Sequence, residues 1–432
     1  MARNARFTCR RQTLALAAIL AAAVATGPTV ASASATQTGP GPAGRPTPTD
    51  YLTKTDYLTK LAQQDVDAGA PGVIVRVDDG TGPVIKIARQ AAATKADHRL
   101  GPDDEFRVGS NTKTMVATLV LQQVAEHRMT LDDPIEKWLP GQIPNGRNIT
   151  VRMLLNHTSG LFNYVNDPAV LKSFTGQDNR DWTPPELLAV AVKYPPGSAP
   201  GAEFSYSNTN YVALGLALEK VTGQSVADLV QQRIAGPLHL KHTYLSIGSS
   251  RPDRSDRFLA HGYEPDAADL APLLPPGVPE GTAFAGPQRG NLVDTTWINS
   301  SSEWAAGGMI STAADWARFD RALLSGKLLP AAQLNEMRTT VPEDPSAPNG
   351  DGYGLGLIKV VTPCGTVWGH DGQVGGYNSV TYTDGTGRGT VDVFTSTIFG
   401  LSVPKTGAAN QALVTAAICT MLDQPMPAGN GT

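Results

Sequence analysis

The chain has 432 residues, a formal net charge of −4, 41% hydrophobic residues and 17% charged residues. This length predicts one large domain or two interlocked domains rather than one small core. The composition is that of an ordinary globular protein. Because the net charge is not positive, nucleic acids and anionic membranes are poor candidate partners.

Residues 1–35 have the organisation of a secretory signal peptide. Four arginines within the first 11 residues precede an apolar run rich in leucine and alanine, and small residues near Ala35 suit cleavage there. The run is too short for a transmembrane helix. The sequence therefore predicts a secreted, extracellular protein without a membrane anchor, with a retained anchor as the alternative.

The part of the chain after the signal segment begins with loop-forming residues. Residues 36–50 are rich in proline, glycine and threonine, which predicts a disordered linker. A folded region over residues 51–423 and a tail over residues 424–432 follow. Val73–Val77 and Val84–Ile87 flank a segment rich in aspartate and glycine, and this pattern predicts a β-hairpin.

Strand patterns return near the C-terminus, at Thr366–His370, Tyr377–Thr383 and Thr390–Thr397, and a helix is predicted over Gln411–Leu422. Residues from about 110 to 240 are predicted to be mainly helical. We therefore expect an α+β fold, an antiparallel sheet flanked by helices and built from both chain ends. The sheet part would span about 51–127 and 300–423, with a mainly helical insert over about 128–299.

Two cysteines, Cys364 and Cys419, remain after removal of the signal segment. In an oxidising compartment a disulfide between them is favoured over two free thiols.

Ser110 and Lys113 lie where a polar loop changes into an apolar helical pattern. At a helix start, free N–H groups favour developing negative charge, and residues three apart share one helix face. A serine becomes a good nucleophile when a base removes its proton. A lysine provides such a base if burial lowers its pKa. An N-cap serine with a solvated lysine is the alternative.

Two further segments carry candidate catalytic groups. Tyr206 and Asn208 stand in a polar-aromatic turn before a helical run, and they offer a phenol for proton relay and an amide. His370, Asp371 and Gln373 lie at the end of a predicted strand, where neighbouring glycines allow a substrate backbone to approach.

These three elements, in this order, resemble the serine β-lactamase and penicillin-binding DD-peptidase family, especially the secreted soluble D-alanyl-D-alanine carboxypeptidases. Val151–Leu161, Gly307–Thr312 and Gly352–Leu357 extend the likeness, which runs from about residue 60 to 423. The resemblance implies a β-lactamase/DD-peptidase-like fold, and Ser110 as the acylated nucleophile with Lys113 as its proton acceptor.

The same resemblance assigns expected roles to the other motif residues. Tyr206 would be a general base or acid, and Asn208 would bind the substrate amide. His370, at the first position of the third motif, would be a catalytic residue. The backbone N–H groups of Ser110 and Gln373 would form the oxyanion hole. Whether Lys113 or Tyr206 is the base stays open. No cofactor or metal is expected, because the histidines lack metal-ligand spacing.

Two aromatic residues have alternative interpretations. His157 could serve as a catalytic base, but the family likeness places it in a structural turn. Trp304 precedes a run of small residues, and it is expected either to line the substrate cleft or to pack in the core.

The sequence departs from the carboxypeptidases at the positions expected to bind a terminal carboxylate. Asp371 replaces the usual threonine or serine, and Ile358 replaces an arginine. Lys359 is expected to face away because side chains alternate along a strand. An acid at residue 371 suits an ammonium group instead. Residues Pro265–Arg289 are predicted to form a long surface loop near the cleft.

Three functions follow as expectations. The first is a D-alanyl-D-alanine carboxypeptidase acting on peptidoglycan stem peptides, with β-lactams as covalent inhibitors. The second is a D-stereospecific aminopeptidase or amidase, an esterase or a β-lactamase of the same family. The third is a non-catalytic penicillin-binding module. The protein is expected to be a monomer.

Overall fold

The computed structural model describes residues 48–246, 258–347 and 350–425, and its strands are numbered here in chain order. They are β1 (Gly72–Asp78), β2 (Ile85–Gln90), β3 (Glu105–Arg107), β4 (Tyr244–Leu245), β5 (Tyr263–Pro265), β6 (Gln288–Arg289), β7 (Leu292–Asp294), β8 (Met309–Thr312), β9 (Val341–Pro342), β10 (Gly352–Tyr353), β11 (Ile358–Thr362), β12 (Gly365–Val374), β13 (Tyr377–Thr383) and β14 (Thr390–Thr395).

The α-helices are numbered in the same way. They are α1 (Pro48–Ala68), α2 (Thr112–Ala125), α3 (Val151–Leu155), α4 (Pro168–Phe174), α5 (Pro184–Ala191), α6 (Asn208–Thr222), α7 (Val226–Val230), α8 (Ala267–Leu270), α9 (Trp304–Gly307), α10 (Ala313–Leu324), α11 (Ala331–Met337) and α12 (Pro404–Met421). None of these described helices combines the length and apolar character needed to cross a membrane.

The main sheet joins both ends of the chain. Its strand order is β2-β1-β14-β13-β12-β11-β10-β9, and its pairs are antiparallel. β1 pairs with β14, so that Val73 lies opposite Thr395. Two three-stranded sheets, β3-β8-β4 and β5-β7-β6, lie outside it. The predicted antiparallel sheet built from both ends and flanked by helices is therefore confirmed.

The two faces of the main sheet bury different apolar groups, because side chains alternate along each strand. Val73 and Val75 of β1 face α1 and α12, where Leu58 and Leu413 pack against them. The intervening Ile74 belongs to the larger core on the opposite face, which also contains most of α2 and α6. Helices on both faces therefore hold the sheet rigidly beside the segments that carry the motif residues.

The described residues begin within the predicted linker. The predicted signal peptide and most of the predicted linker lie outside the described residues. Helix α1 begins at Pro48, so the last three residues of the predicted linker are helical.

Cys364 and Cys419 form the predicted disulfide, with their Cα atoms 5.3 Å apart, and it joins the turn before β12 to α12.

The segment Pro265–Arg289 is not simply a surface loop, which corrects the sequence prediction. It contains α8 and β6, and β6 pairs with β7 in a small sheet. Leu270 and Phe284 are buried against Val293 in a separate apolar cluster. Burial of these apolar side chains stabilises the local structure. The high proline content of the segment had instead favoured the prediction of a loop.

Candidate active site

Ser110 lies in a single 3-10 turn, Gly109–Asn111, which connects β3 to the start of α2. Gly109 has φ +54°, and a Cβ atom there would lie 2.6 Å from the backbone nitrogen of Gln373. Glycine is therefore required by the backbone conformation and by the close approach to β12. The turn holds Ser110 directly against that strand.

The edge of β12 beside Ser110 is also shaped by glycine. A Cβ atom on Gly372 would lie 1.9 Å from the Val108 carbonyl oxygen and 2.8 Å from the Ser110 nitrogen. β11 pairs with β12 only as far as Gly369, so the following residues of β12 run beside the serine turn. The backbone nitrogens of Ser110 and Gln373 are thus neighbours, as the expected oxyanion hole requires.

Asn111 is a buried residue of the site that the sequence patterns did not single out. Its side-chain amide donates to Ser379 Oγ at 2.8 Å, and its oxygen accepts from Thr381 Oγ1 at 2.6 Å. These bonds connect the start of α2 to β13. They help fix Ser110 relative to the sheet, and only the tertiary structure reveals them.

The Lys113 ammonium is fully buried and has three hydrogen-bond acceptors. Nζ lies 2.9 Å from Ser110 Oγ, 2.7 Å from Asn208 Oδ1 and 2.7 Å from the Ala306 carbonyl oxygen. Burial lowers the pKa of Lys113 well below its usual value, and the negative charge of Asp371 opposes this shift. The side chain thus combines contact with the serine hydroxyl and a bias toward the neutral amine.

Tyr206 lies just before α6 and completes the cluster around Ser110. Its hydroxyl is hydrogen-bonded to the Ser110 side chain, and burial raises the pKa of Tyr206 well above its ordinary value despite that bond. Lys113 Nζ is 4.8 Å from the centre of the Tyr206 ring. The phenol therefore keeps its proton at neutral pH and is placed to donate it.

A cavity opens above these groups, with both polar and apolar walls. Of the sequence-predicted site residues, Ser110, Tyr206, Asp371 and Gln373 line it, and so does Ile358. The remaining lining residues are Phe204, Glu343, Asp351, Tyr353, Val360, Gly372 and Tyr382. The lining includes three carboxylates, and among the described residues that form it there is no lysine or arginine.

Asp371 is the carboxylate of this cavity that interacts with Lys113. Its side chain is 29% exposed, and burial in the cavity wall raises the pKa of Asp371 to about 6, against the opposing influence of Lys113. At pH 7 the group is therefore mainly ionised. Sequence motifs gave no signal for Glu343 and Asp351, which lie on either side of a segment that contains two prolines.

Besides the fully buried Lys113, three predicted site residues lie behind the cavity wall instead of lining it. Asn208 contacts Lys113 rather than the open space. His370 is 1% exposed, and its Nε2 is 2.8 Å from the Tyr353 hydroxyl. Trp304 packs in the main core, where its ring would meet a Cβ atom on Gly215 at 2.7 Å. Of the two positions expected for Trp304, it therefore occupies the one in the core and does not line the cleft.

His157 lies in a turn after α3 with φ +60°, and it is fully buried. Its Nδ1 accepts hydrogen bonds from the Ser207 backbone at 3.2 Å and the Asn210 side chain at 2.9 Å. Its ring centre is 4.2 Å from that of Tyr206. His157 therefore supports the Tyr206 segment from behind and makes no hydrogen bond to Ser110 among those described.

One group outside the cavity has metal-binding residue types. Ligand atoms of Asp97, His261 and Asp294 lie within 4.8 Å of one another. However, Arg289 Nε binds Asp97 at 2.7 Å, and His261 binds Asp294 at 2.9 Å. Because these groups already satisfy one another, they form an internally paired polar cluster.

The geometry at Ser110 suits acyl transfer. It combines a serine hydroxyl, an amine biased toward its neutral form, a protonated phenol and two adjacent backbone nitrogens. All of these groups are held by buried hydrogen bonds or by tight backbone contacts. The arrangement requires no cofactor for the transfer of an acyl group to and from the serine.

Solved structures of known proteins are similar to this chain over most of its length. The D-stereospecific amidohydrolase from Streptomyces sp. is 37% identical, with 83% of this chain and 97% of that chain covered and a TM-score of 0.67. The D-amino acid amidase from Ochrobactrum anthropi SV3, in complex with L-phenylalanine, is 25% identical, with coverage of 85% and 99% and a TM-score of 0.73.

Curated relatives match over smaller shares. Esterase EstB from Burkholderia gladioli is 28% identical over a match that covers 63% of this chain and 71% of that protein. Penicillin-binding protein 4* from Bacillus subtilis is 27% identical over 64% of this chain, which spans only 57% of it. Residues 58–415 match the family described as Beta-lactamase. The chain is therefore a serine hydrolase that belongs to the Beta-lactamase family.

Proposed function

We propose that the protein hydrolyses amides or esters of D-amino acids whose α-ammonium group is free. The observation that carries this proposal is the acidic lining of the cavity, to which Asp371, Glu343 and Asp351 contribute. Burial raises the pKa of Glu343 to about 7, so this carboxyl is only partly ionised at neutral pH. An ammonium group is attracted by this wall, whereas the terminal carboxylate of a D-alanyl-D-alanine peptide is repelled. The D-stereospecific amidohydrolase and the D-amino acid amidase support the preference for the D configuration.

The reaction proceeds through an acyl-enzyme. Neutral Lys113 accepts the Ser110 proton as Oγ attacks the substrate carbonyl carbon, and the N–H groups of Ser110 and Gln373 stabilise the resulting oxyanion. Tyr206 donates its proton to the leaving amine or alcohol, and the carbon–nitrogen or carbon–oxygen bond breaks. The phenol regains a proton from Lys113. Lys113 then takes a proton from water as the water oxygen attacks the acyl carbonyl carbon. The bond from that carbon to Oγ breaks, the D-amino acid leaves, and the proton passes from Lys113 to Ser110.

The carboxypeptidase expected from the sequence remains the alternative, and penicillin-binding relatives favour it. Ile358, however, occupies the cavity wall where that activity was expected to need an arginine. Covalent inhibition by β-lactams fits either function. Export is part of the proposal and is supported by the Cys364–Cys419 disulfide. The monomeric state stays a prediction.

The decisive experiment compares kcat/KM for D-phenylalaninamide, its L enantiomer, N-acetyl-D-phenylalaninamide and an acyl-D-Ala-D-Ala peptide. We expect the free D-amide to be the best of the four and Ser110→Ala to abolish its hydrolysis. The N-acetyl compound is the matched control, since it differs mainly by loss of the ammonium charge. Faster hydrolysis of the acyl-D-Ala-D-Ala peptide would favour the carboxypeptidase instead.

Asp371→Asn tests the ammonium contact with little change of shape. Two unit charges about 4 Å apart interact by about 4 kcal/mol at an effective dielectric near 20, and solvent in the open cavity reduces this. We therefore expect kcat/KM for D-phenylalaninamide to fall at least about fivefold, which corresponds to about 1 kcal/mol. Asp351→Asn is the control, because Asp351 lines the same cavity but is not among the charges that affect Lys113. This variant should change kcat/KM for D-phenylalaninamide less.

A further inference from the structure

His370 was expected, from its motif position, to be a catalytic residue, but its surroundings indicate another task. The imidazole is buried in β12 and is not among the residues that line the cavity. Its Nδ1 lies 2.5 Å from the backbone carbonyl oxygen of Asp371, and its Nε2 lies 2.8 Å from the hydroxyl of Tyr353. Both ring nitrogens are therefore engaged with the protein.

These two bonds define the tautomer of the ring. A carbonyl oxygen only accepts hydrogen bonds, so Nδ1 of His370 carries the proton. Burial and the nearby Lys113 lower the pKa of His370 to about 3, so the ring is neutral near pH 7. Nε2 is then an acceptor, and the Tyr353 hydroxyl donates to it.

Tyr353 is the residue that this bond holds, and it forms part of the cavity wall. Its ring centre is 4.7 Å from that of His157, 5.6 Å from that of Phe204 and 6.1 Å from that of Tyr206. The Tyr353 side chain also has a hydrogen bond with that of Tyr211. The aromatic side chains around the reacting phenol therefore pack on a ring whose hydroxyl end is held by His370 and Tyr211. A change at His370 would be transmitted to Tyr206 through Tyr353.

We propose that His370 is a positioning residue whose uncharged imidazole anchors Tyr353, and that it supplies no cation to the substrate. This inference rests on one part of the proposed function, namely that Ser110 and Tyr206 form the reacting site. It holds for an amide, an ester or a peptide substrate alike. It differs from the catalytic role that is expected for His370 from its place in the third motif.

The test compares His370→Gln with His370→Lys on p-nitrophenyl acetate and on an anionic acyl-D-Ala thioester. Glutamine keeps an acceptor for the Tyr353 hydroxyl, so its kcat/KM should stay within about threefold of the wild type on both substrates. Lysine offers no acceptor, so it should lose at least about tenfold on both. A lysine variant that keeps wild-type activity, or a glutamine variant impaired only on the anionic substrate, would establish the cationic role and overturn the proposal.

Tyr353→Phe provides a second test that does not depend on folding of the lysine variant. It removes only the hydroxyl, and we expect kcat/KM for p-nitrophenyl acetate to fall about three- to tenfold. Combining it with His370→Ala should add little to the loss from His370→Ala alone, because the bond is already broken. Fully additive losses would contradict the anchor. Since p-nitrophenyl acetate has neither ammonium nor D-configured carbon, failure on D-amides would contradict only the proposed function.

Discussion

At the scale of single residues, the site depends on charges that burial has altered. Lys113 is biased toward the neutral amine, while Tyr206 is biased toward the protonated phenol. The sequence left open which of them is the base. These opposite shifts favour Lys113 as the group that accepts the serine proton and Tyr206 as the group that donates to the leaving group, since burial favours the neutral form of each side chain.

The pH dependence of substrate preference follows from two carboxyl groups of the cavity, because burial raises the pKa of Asp371 to about 6 and the pKa of Glu343 to about 7. As the pH falls through these values both carboxyls become neutral and attract an ammonium group less. Above about pH 8 the substrate amine itself loses its proton. We therefore expect the ratio of kcat/KM for D-phenylalaninamide to that for p-nitrophenyl acetate to be highest between these limits and to fall on both sides.

Both substrates need the same nucleophile, so the titration of Lys113 affects both kcat/KM values equally. Its effect therefore cancels in their ratio. Steady-state kinetics from about pH 4.5 to 9.5 provide the measurement, and Asp371→Asn is the control that should lose the part of the acidic fall near pH 6 while keeping the part due to Glu343. A ratio that stays constant between about pH 5 and 7 in the wild type would show that Asp371 does not bind the ammonium group.

Part of this residue-scale arrangement could be predicted from the sequence. Ser110 and Lys113 lie three residues apart at one helix start, so local geometry alone brings them together. The contacts of Asn111 with β13 and of His370 with Tyr353 join residues distant in the chain. Such contacts depend on how the elements pack, and no local pattern predicts them.

At the scale of elements, strand alternation determines which side chains reach the cavity. Ile358 and Val360 of β11 line it, whereas Lys359 between them does not. This agrees with the expectation that Lys359 faces away, which rested only on the period of a β-strand. The extent of β12 was harder to predict. It continues to Val374 because its glycine-containing end remains paired with β13.

Ile358→Arg should introduce a cation into the cavity wall and so improve turnover of acyl-D-Ala-D-Ala. The attraction to the terminal carboxylate predicts a several-fold rise in kcat/KM, together with a fall for D-phenylalaninamide because the introduced guanidinium would neutralise part of the acidic lining. Val361→Arg is the matched control, since Val361 lies on the same strand, is 50% exposed and does not line the cavity. Equal effects of both variants would exclude a local charge interaction.

At the scale of the whole molecule, the sheet depends on pairing between distant parts of the chain. β1 from the N-terminal part pairs with β14 from the C-terminal part, and α1 packs beside α12 over them. Lys54 of α1 also lies 2.6 Å from Asp423, just beyond α12. The exposed ion pair adds little stability. The buried apolar contacts between the two helices and the sheet are the main favourable contribution.

The disulfide adds a covalent connection to this arrangement, and its removal should lower stability without changing catalysis. Cys364 and Cys419 are 55 residues apart in the chain, and a loop of that length corresponds to about 4 kcal/mol in the chain-entropy model. Cys364 lies before the first residue of β12. At about 3.3 Å per residue, it is more than about 20 Å along the strand from Asp371 and Gln373. Loss of the bond should therefore leave kcat/KM unchanged.

Urea unfolding of the oxidised protein, the reduced protein and a Cys364→Ser/Cys419→Ala variant would test this separation of stability from activity. The reduced wild type is the matched control, because it lacks the bond but keeps both side chains. We expect the midpoint to fall by a similar amount in the reduced protein and the variant, with hydrolysis of p-nitrophenyl acetate retained at low urea. A large loss of activity in the reduced folded protein would mean that α12 positions the catalytic end of β12, and the two ends of the strand would then be coupled.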